Sequence, residues 1–420
     1  MALIHARPVD TIRRERSSIK WTRFPPDVLP LFVAEMDYAL ATPIVETLVQ
    51  RIRASDTGYV DAAGPLAPAF GAFAAERWGW AVDPRHVHVA TDVSVGIVET
   101  LRLVVPSGGT VVVTPPVYPP FFELVEEAGA VVAGVPLLET ASGWALDLEG
   151  LERAFAAGAH AFLLCNPHNP HGLVHDARTL AAVARLAARY GVFVVSDEIH
   201  APLTHPGVEF TPFTPLARDA GARSVCVTSA SKGWNLAGTK CALLVAGDEF
   251  SAQLLDTLPE EVANRTSILG LHANVVAFSC TDWLDDAVEH IVANDRLLDE
   301  LLRAQLPAVV YHRPHASYLA WLDIRGLGLG ESAHERILHE ARVALNDGAT
   351  FGSEGRGFVR LNLACAPETL REAVARIARL VASPAPAGAA VPAPAVVPAG
   401  AAAPAAAGIR ADAAHSSVAR

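Results

Sequence analysis

The chain has 420 residues, a formal net charge of −12 and 51% hydrophobic residues. That length leaves room for two or three compact units and a buried site. The negative charge repels phosphate backbones, and no Lys/Arg stripe with interleaved aromatics offsets it, so a nucleic-acid partner is excluded.

The opening stretch, MALIHARPVDTIRRERSSIKW, lacks the apolar run of a secretory signal, and no run of about 20 apolar residues anywhere escapes charge or proline. A cytoplasmic protein without membrane contact is expected. In FVAEMDY, Glu35 and Asp37 stand two residues apart on an extended segment, so they share a face rather than oppose each other across a bond. They read as pocket wall. From about residue 45 to 285, helical stretches alternate with the strand-like runs VHVAT, GTVVVTPP, VVAGVPL, AFLLCNP, VFVVSDE, SVCVTSA and CALLVAG. The expected fold class is α/β with a mainly parallel sheet, because FLLC and FVVS are apolar at successive positions, as in strands covered on both faces. Residues 176–191 read as a helix closed by Gly191. Beyond residue 286 the order is helix AVEHIVANDRLLDELLRAQL, strand SYLAWLDI, helix HERILHEARVA, strand FVRLNLA and helix TLREAVARIARLVA, a smaller α+β unit. Residues 384–420 are Ala/Pro-rich without periodicity and read as a disordered tail.

The five cysteines are odd in number, scattered and mostly flanked by apolar residues, with no CxxC pair, and read as reduced core thiols. His168, His171 and His175 invite a metal reading, but Pro167 and Pro170 forbid the helix that would align them, so no metal is expected.

Three segments end strand-like runs, where the carboxyl ends of parallel strands form a ligand crevice: Asn166–Gly172, Ser196–His200 and Ser229–Asn235. Singly, each has an ordinary explanation as a turn, a helix cap or a solvated lysine. Together they supply what pyridoxal 5'-phosphate requires. Lys232 offers the amine for a Schiff base, and Asp197 the carboxylate that keeps the pyridine nitrogen protonated. Asn169 can donate to the phenolic oxygen, while the Ser229 hydroxyl and the backbone N–H groups of Val93 and Ser94 can bind the phosphate. Asp92, just before them, reads as an N-cap whose charge sits awkwardly beside a phosphate.

With TGYVDAAGPLAPAFGAFAAERWGW, TPPVYPPFF and ALNDGATFGSEGRGFVRLNLAC, these motifs resemble the fold-type-I enzymes of the aspartate aminotransferase superfamily (class I/II). The pairing of NPHNP with DEIH resembles its MalY/PatB-type cystathionine β-lyase branch, over roughly residues 20 to 383. The resemblance implies an aspartate aminotransferase-like fold, with a large domain over 45–285 and a small one built from 1–44 and 286–383. It implies that Tyr118 stacks on the pyridine ring, that His200 contacts the cofactor, and that Arg360 holds the α-carboxylate of an amino-acid substrate with its guanidinium fork. Tyr59 would reach the phosphate in a neighbouring subunit, which makes the active site part of a homodimer interface. Lys240 stands where aminotransferases often place a phosphate-binding arginine. The implied activity is elimination of thiol from an S-substituted cysteine, leaving pyruvate and ammonia. Transamination is the alternative, and a non-catalytic regulatory protein on the same fold the third reading. The chain departs from the branch at Thr91–Val95, at His171 in place of a common threonine, and in YHRPHASY at 311–318, so a specialised substrate pocket is expected.

Overall fold

Seven strands with almost no polar positions form the central layer of the computed structural model, which describes residues 4, 6–140 and 143–383. The expected tail over 384–420 lies outside the described residues. The strands are β1 (Val87–Ala90), β2 (Thr110–Val113), β3 (Val131–Gly134), β4 (Ala161–Cys165), β5 (Phe193–Asp197), β6 (Ser224–Thr228) and β7 (Ala242–Ala246). They lie in the order β1-β7-β6-β5-β4-β2-β3. Pairs among β2 to β6 are parallel, and β7 runs antiparallel to both its neighbours. One edge of the sheet therefore collects the carboxyl ends of six strands and the start of β7.

Period-two alternation divides the strand side chains between two cores. Val111, Val113, Leu163, Val195 and Val227 face a cluster that includes Ile97 and Leu101. Val112, Phe162, Leu164 and Val194 face Leu180, Val183, Ala184 and Ala187. Each such fully buried side chain contributes about 1.5–3 kcal/mol, so β4, β5 and β6, buried at every position, are the rigid floor of the molecule.

Four helices set the scene for the site: α1 (Thr42–Arg53), α2 (Val93–Val104), α3 (Ala177–Tyr190) and the single turn α4 (Ala230–Gly233). Helix α3 ends, as the sequence indicates, on Gly191 at φ 69°, a left-handed cap that a side chain would disfavour. A second, four-stranded antiparallel sheet contains β8 (Val310–Tyr311), β9 (Leu319–Asp323), β10 (Asn346–Asp347) and β11 (Phe358–Asn362), in the order β8-β9-β11-β10. Helices α5 (Thr281–Gln305) and α6 (Pro367–Ala382) cover it through Ile291, Leu298, Leu370 and Val374 against Leu322, Val359 and Leu361.

The helix expected over HERILHEARVA stops at His339. Arg342 takes φ 58°, and Val343–Ala344 pairs in parallel with Leu29–Pro30 instead. Pairing with a segment more than 300 positions away overrides the local helical pattern. The N-terminal segment continues as a strap: Leu31 N–H donates to Ala344 O, Asn362 N–H to Leu31 O, and the Asn362 amide to Val33 O and Glu35 O, both at 2.7 Å.

Candidate active site

The collecting edge of the sheet opens into a cavity lined by residues from five strand ends. Asp92, Val93 and Ser94 follow β1. Tyr118 follows β2, Cys165 and Asn169 come from the end of β4, Asp197 and His200 from the end of β5, and Ser229 and Lys232 follow β6. Lys240 and Cys241 precede β7. Of the cofactor and substrate candidates singled out from sequence, Lys240 included, all but two thus line one cavity.

The other two are placed differently. Arg360 lies on β11, 6% exposed, and reaches the cavity through Asn169: its Nη1 donates to Asn169 Oδ1 at 2.9 Å. Its Nη2 donates to Asn346 Oδ1 and Phe32 O. Because the carbonyl end of Asn169 is occupied by arginine, its NH₂ end is the one free to donate. Tyr59 is 88% exposed and lies outside the cavity of its own chain.

The electrostatics follow from burial. Asp197 accepts Ile199 N–H at 3.1 Å, and among the described residues no cation stands within ion-pair distance. Desolvation pushes its carboxyl up to about 7. Lys232 donates to Ala34 O at 3.2 Å, and desolvation, reinforced by the positive charge of Arg360, brings its ammonium down to about 8. Arg360 is lowered by desolvation to about 10 and stays charged at neutral pH. His200 is held neutral by burial, its Nδ1 3.0 Å from Ser317 Oγ.

Asp92 is the N-cap of α2. Its Oδ1 accepts Val95 N–H and its Oδ2 pairs with Lys240 Nζ at 2.8 Å. The aspartate is thereby neutralised by lysine, which removes the awkwardness of a carboxylate beside the α2 N–H groups of Val93 and Ser94, groups that have no partner within a helix. The Ser229 hydroxyl donates to Cys241 O at 2.7 Å and caps α4 by accepting Ser231 N–H. Glu35 and Asp37 do not line the cavity; their carboxylates meet Trp21 Nε1 and Lys20, and Ala34 is the wall residue of that segment.

The donor set fits pyridoxal phosphate: a half-buried amine of lowered basicity, a buried carboxylate lacking a cation, and the N–H end of a 12-residue helix with a lysine beside it. Among the described residues no group of three or more His, Cys, Asp or Glu is placed to hold a metal ion, and no helix is long and apolar enough to cross a membrane.

Some positioning residues escape the sequence reading. Asn235 sits inside the SKGWN run and bonds both Met36 N–H and Met36 O; its φ of 59°, a conformation asparagine tolerates, is the local signal that marks it. Ser317, which meets His200, shares that signal with a φ of 71°, whereas Tyr318, which donates to Ala34 O at 3.1 Å, carries none; the partners of both are more than 100 positions away.

The family model described as aminotransferase class I and II matches residues 26–377. A protein of Mycobacterium leprae (strain TN), provisionally named a cystathionine beta-lyase, is 42% identical over 387 residues, covering 87% of this chain and 94% of the relative. The cystathionine beta-lyase of Corynebacterium glutamicum is 34% identical, covering 88% and 98%. Among solved structures, a provisionally assigned PLP-dependent beta-cystathionase from Corynebacterium diphtheriae superposes with a TM-score of 0.85 at 33% identity, over 90% of this chain and 99% of that one.

Proposed function

The chain belongs to the aminotransferase class I and II family, and on that premise we propose that it is a PLP-dependent C–S β-lyase. It cleaves an S-substituted cysteine, with water, to a thiol, pyruvate and ammonia. The observation that carries the reading is the meeting of Lys232, Asp197 and the α2 N-terminus around one cavity, with Arg360 bonded to Asn169 at its side. Relatives that carry the cystathionine β-lyase name select this reaction within the family.

When bound, pyridoxal phosphate supplies an electron-withdrawing ring that takes up the electron pair freed at the substrate Cα. The chain's own groups do the rest. Lys232 Nζ is the point of covalent attachment and, when free, the base that takes the Cα proton; an ammonium near 8 leaves part of the amine neutral at physiological pH. Asp197 holds the proton on the pyridine nitrogen, a cation that its own raised carboxyl otherwise lacks. Asn169 donates its NH₂ to the phenolic oxygen, Tyr118 covers the ring, and Val93, Ser94 and Lys240 bind the phosphate. His200 stays a neutral contact to the cofactor. Arg360 fixes the substrate carboxylate, so that Cα–H faces Lys232 and the Cβ–S bond is free to break.

We further propose a cytoplasmic homodimer. All five cysteines are free thiols, as in a reducing compartment. Val45, Val49 and Ile52 form an exposed apolar stripe at i, i+4 and i+7 on α1, and Tyr59, exposed in the segment that follows the helix, is free to enter a second subunit's site.

Incubating the enzyme with cystathionine and no keto acid tests the reaction. Pyruvate, ammonia and thiol in equal amounts are expected. Turnover only with an added keto acid, returning the matching amino acid, makes the protein an aminotransferase.

A further inference from the structure

The departing run YHRPHASY and the turn that begins at the histidine of DEIH are fastened to each other. His205 N–H donates to His315 O at 2.8 Å, and Ser317 N–H to Leu203 O at 2.9 Å. His205 Nε2 donates to Ser317 O at 2.8 Å. A side-chain pair completes the clip, Ser317 Oγ standing 3.0 Å from His200 Nδ1. Ser317 holds a φ of 71°, which glycine would take at less cost. A strained serine in that place points to a use for its hydroxyl.

Which nitrogen of His200 carries the proton is decided by what each atom can reach. His200 is buried and lines the Lys232 cavity. Lys232 and Arg360 bear on it as cations and the Tyr318 ring stands 6.2 Å away, so a second proton is disfavoured and the imidazole is neutral. Ser317 is 2% exposed, and its hydroxyl meets no other partner among the described residues. With the proton on Nδ1, the ring would donate to Oγ and the hydroxyl's own proton would be buried without an acceptor. With the proton on Nε2, Oγ–H donates to Nδ1 and that loss vanishes. Nε2 itself has no protein partner among the described residues, yet it is not sealed off: it keeps accessible surface on a residue that lines the cavity.

We propose that Ser317 is a positioning residue that locks His200 in the tautomer with its proton on Nε2, making the ring a hydrogen-bond donor to the bound cofactor. The inference rests on the cofactor reading and deepens the role of His200 from contact to donor. Pyridoxal phosphate offers two anionic acceptors, and with its phosphate taken at Val93, Ser94 and Lys240 the phenolic oxygen is the one left for His200. A donor there stabilises the oxygen as an anion. The bond is stronger once the nitrogen joining the cofactor to Lys232 has lost its proton, because the oxygen's charge is then uncompensated. Ser317, acting through His200, therefore lowers the pH at which that nitrogen deprotonates.

Ser317→Gly removes the hydroxyl in a backbone conformation that glycine prefers, so it tests the role without adding strain. The visible absorbance of the holoenzyme is titrated against pH, and NMR of isotope-labelled histidine reads which ring nitrogen is protonated, with His200 assigned by its absence in His200→Phe. The wild type is expected to carry the His200 proton on Nε2. In Ser317→Gly the spectral midpoint is expected to rise by about one pH unit, a tenfold change in proton affinity, while the melting temperature holds or rises. In the His200→Phe background the same substitution is expected to leave the midpoint where it is. A wild-type proton on Nδ1, an unshifted midpoint in Ser317→Gly, or a shift of equal size in the His200→Phe background overturns the inference and leaves the cofactor reading standing. Protein that shows no visible band after loading with pyridoxal phosphate overturns both. Should His200→Phe fail to fold, the midpoint of Ser317→Gly alone decides.

Discussion

The two walls of the cleft are made in different ways. On the wall formed by the ends of β1, β2, β4, β5 and β6, side chains do the chemistry, each within a few residues of a strand end. On the opposite wall, built by residues 31–37 and β11, backbone carbonyls do much of the positioning. Ala34 O receives both Lys232 and Tyr318, Met36 O receives Asn235, and Phe32 O receives Arg360. A wall of side chains is specified by residue identity at fixed offsets. A wall of carbonyls is specified only by how the chain is threaded, and any sequence that threads the same way serves equally.

On this contrast, substitutions on the first wall remove activity at little cost in stability, and those on the second, the substrate-binding Arg360 of β11 apart, do the reverse. The largest effect is expected from Lys232→Ala, about a thousandfold or more in kcat, since both the attachment point and the base are lost. Borohydride reduction followed by peptide mapping should label Lys232 in the wild type; label on another lysine contradicts the assignment. Asp197→Asn comes next, with a loss of roughly 100-fold in kcat/KM, about 2.7 kcal/mol of barrier, and an unchanged melting temperature. Steady-state kinetics near the wild-type value would remove Asp197 from the machinery.

The third expectation concerns pH. His168, His171, His175 and His200 all lie on the strand-end wall or just behind it, and burial keeps them neutral, His168 down to about 4 and His175 to about 3. A histidine lowered on folding contributes stability that is complete above its ordinary value of 6.5 and is lost as pH falls through the folded value. Asp197 and Glu198, both raised to about 7, act in the opposite sense, because the native state takes up their protons first and gains stability as pH falls below 7. Comparison with His168→Phe isolates the histidine. Between pH 6.5 and 4 the stability advantage of wild type over variant should shrink by about 3 kcal/mol in denaturant unfolding. A constant difference across that range would place the titration elsewhere.

The smallest effect on turnover is expected on the second wall. Asn362→Ala removes bonds to Val33 O, Glu35 O and Ala364 N–H, all 2.7 Å long. A loss of about 2–3 kcal/mol in unfolding free energy should accompany a modest rise in KM and little change in kcat. A large fall in kcat with intact stability would erase the distinction between the walls.

The same contrast explains what the sequence discloses. The α/β layer order, the strand ends and the cavity residues Lys232, Asp197, Asn169 and Val93 are legible because local patterns and short motifs encode them. The pairing of Val343–Ala344 with Leu29–Pro30, and the seat of Ser317 on His200, are not, because each depends on a partner far along the chain. Lys240 illustrates an intermediate case. Its offset from Lys232 marks it as a phosphate candidate, but its pairing with Asp92, 148 positions away, emerges only in three dimensions.

The strap of residues 29–37 also constrains the order in which the molecule can be made. Its hydrogen bonds go to Arg342, Ala344, Asn362 and Ala364, so a nascent chain leaving the ribosome must carry this segment unpaired until nearly all of the body has been synthesised. Closing a loop of more than 300 residues adds only slowly growing entropy, but it cannot happen early. The seven-stranded sheet can assemble during translation, whereas the carbonyls that meet Lys232 and Arg360 arrive last. Activity is therefore expected to lag behind the burial of the central core during refolding, and the strap to be the first element released when the protein begins to open.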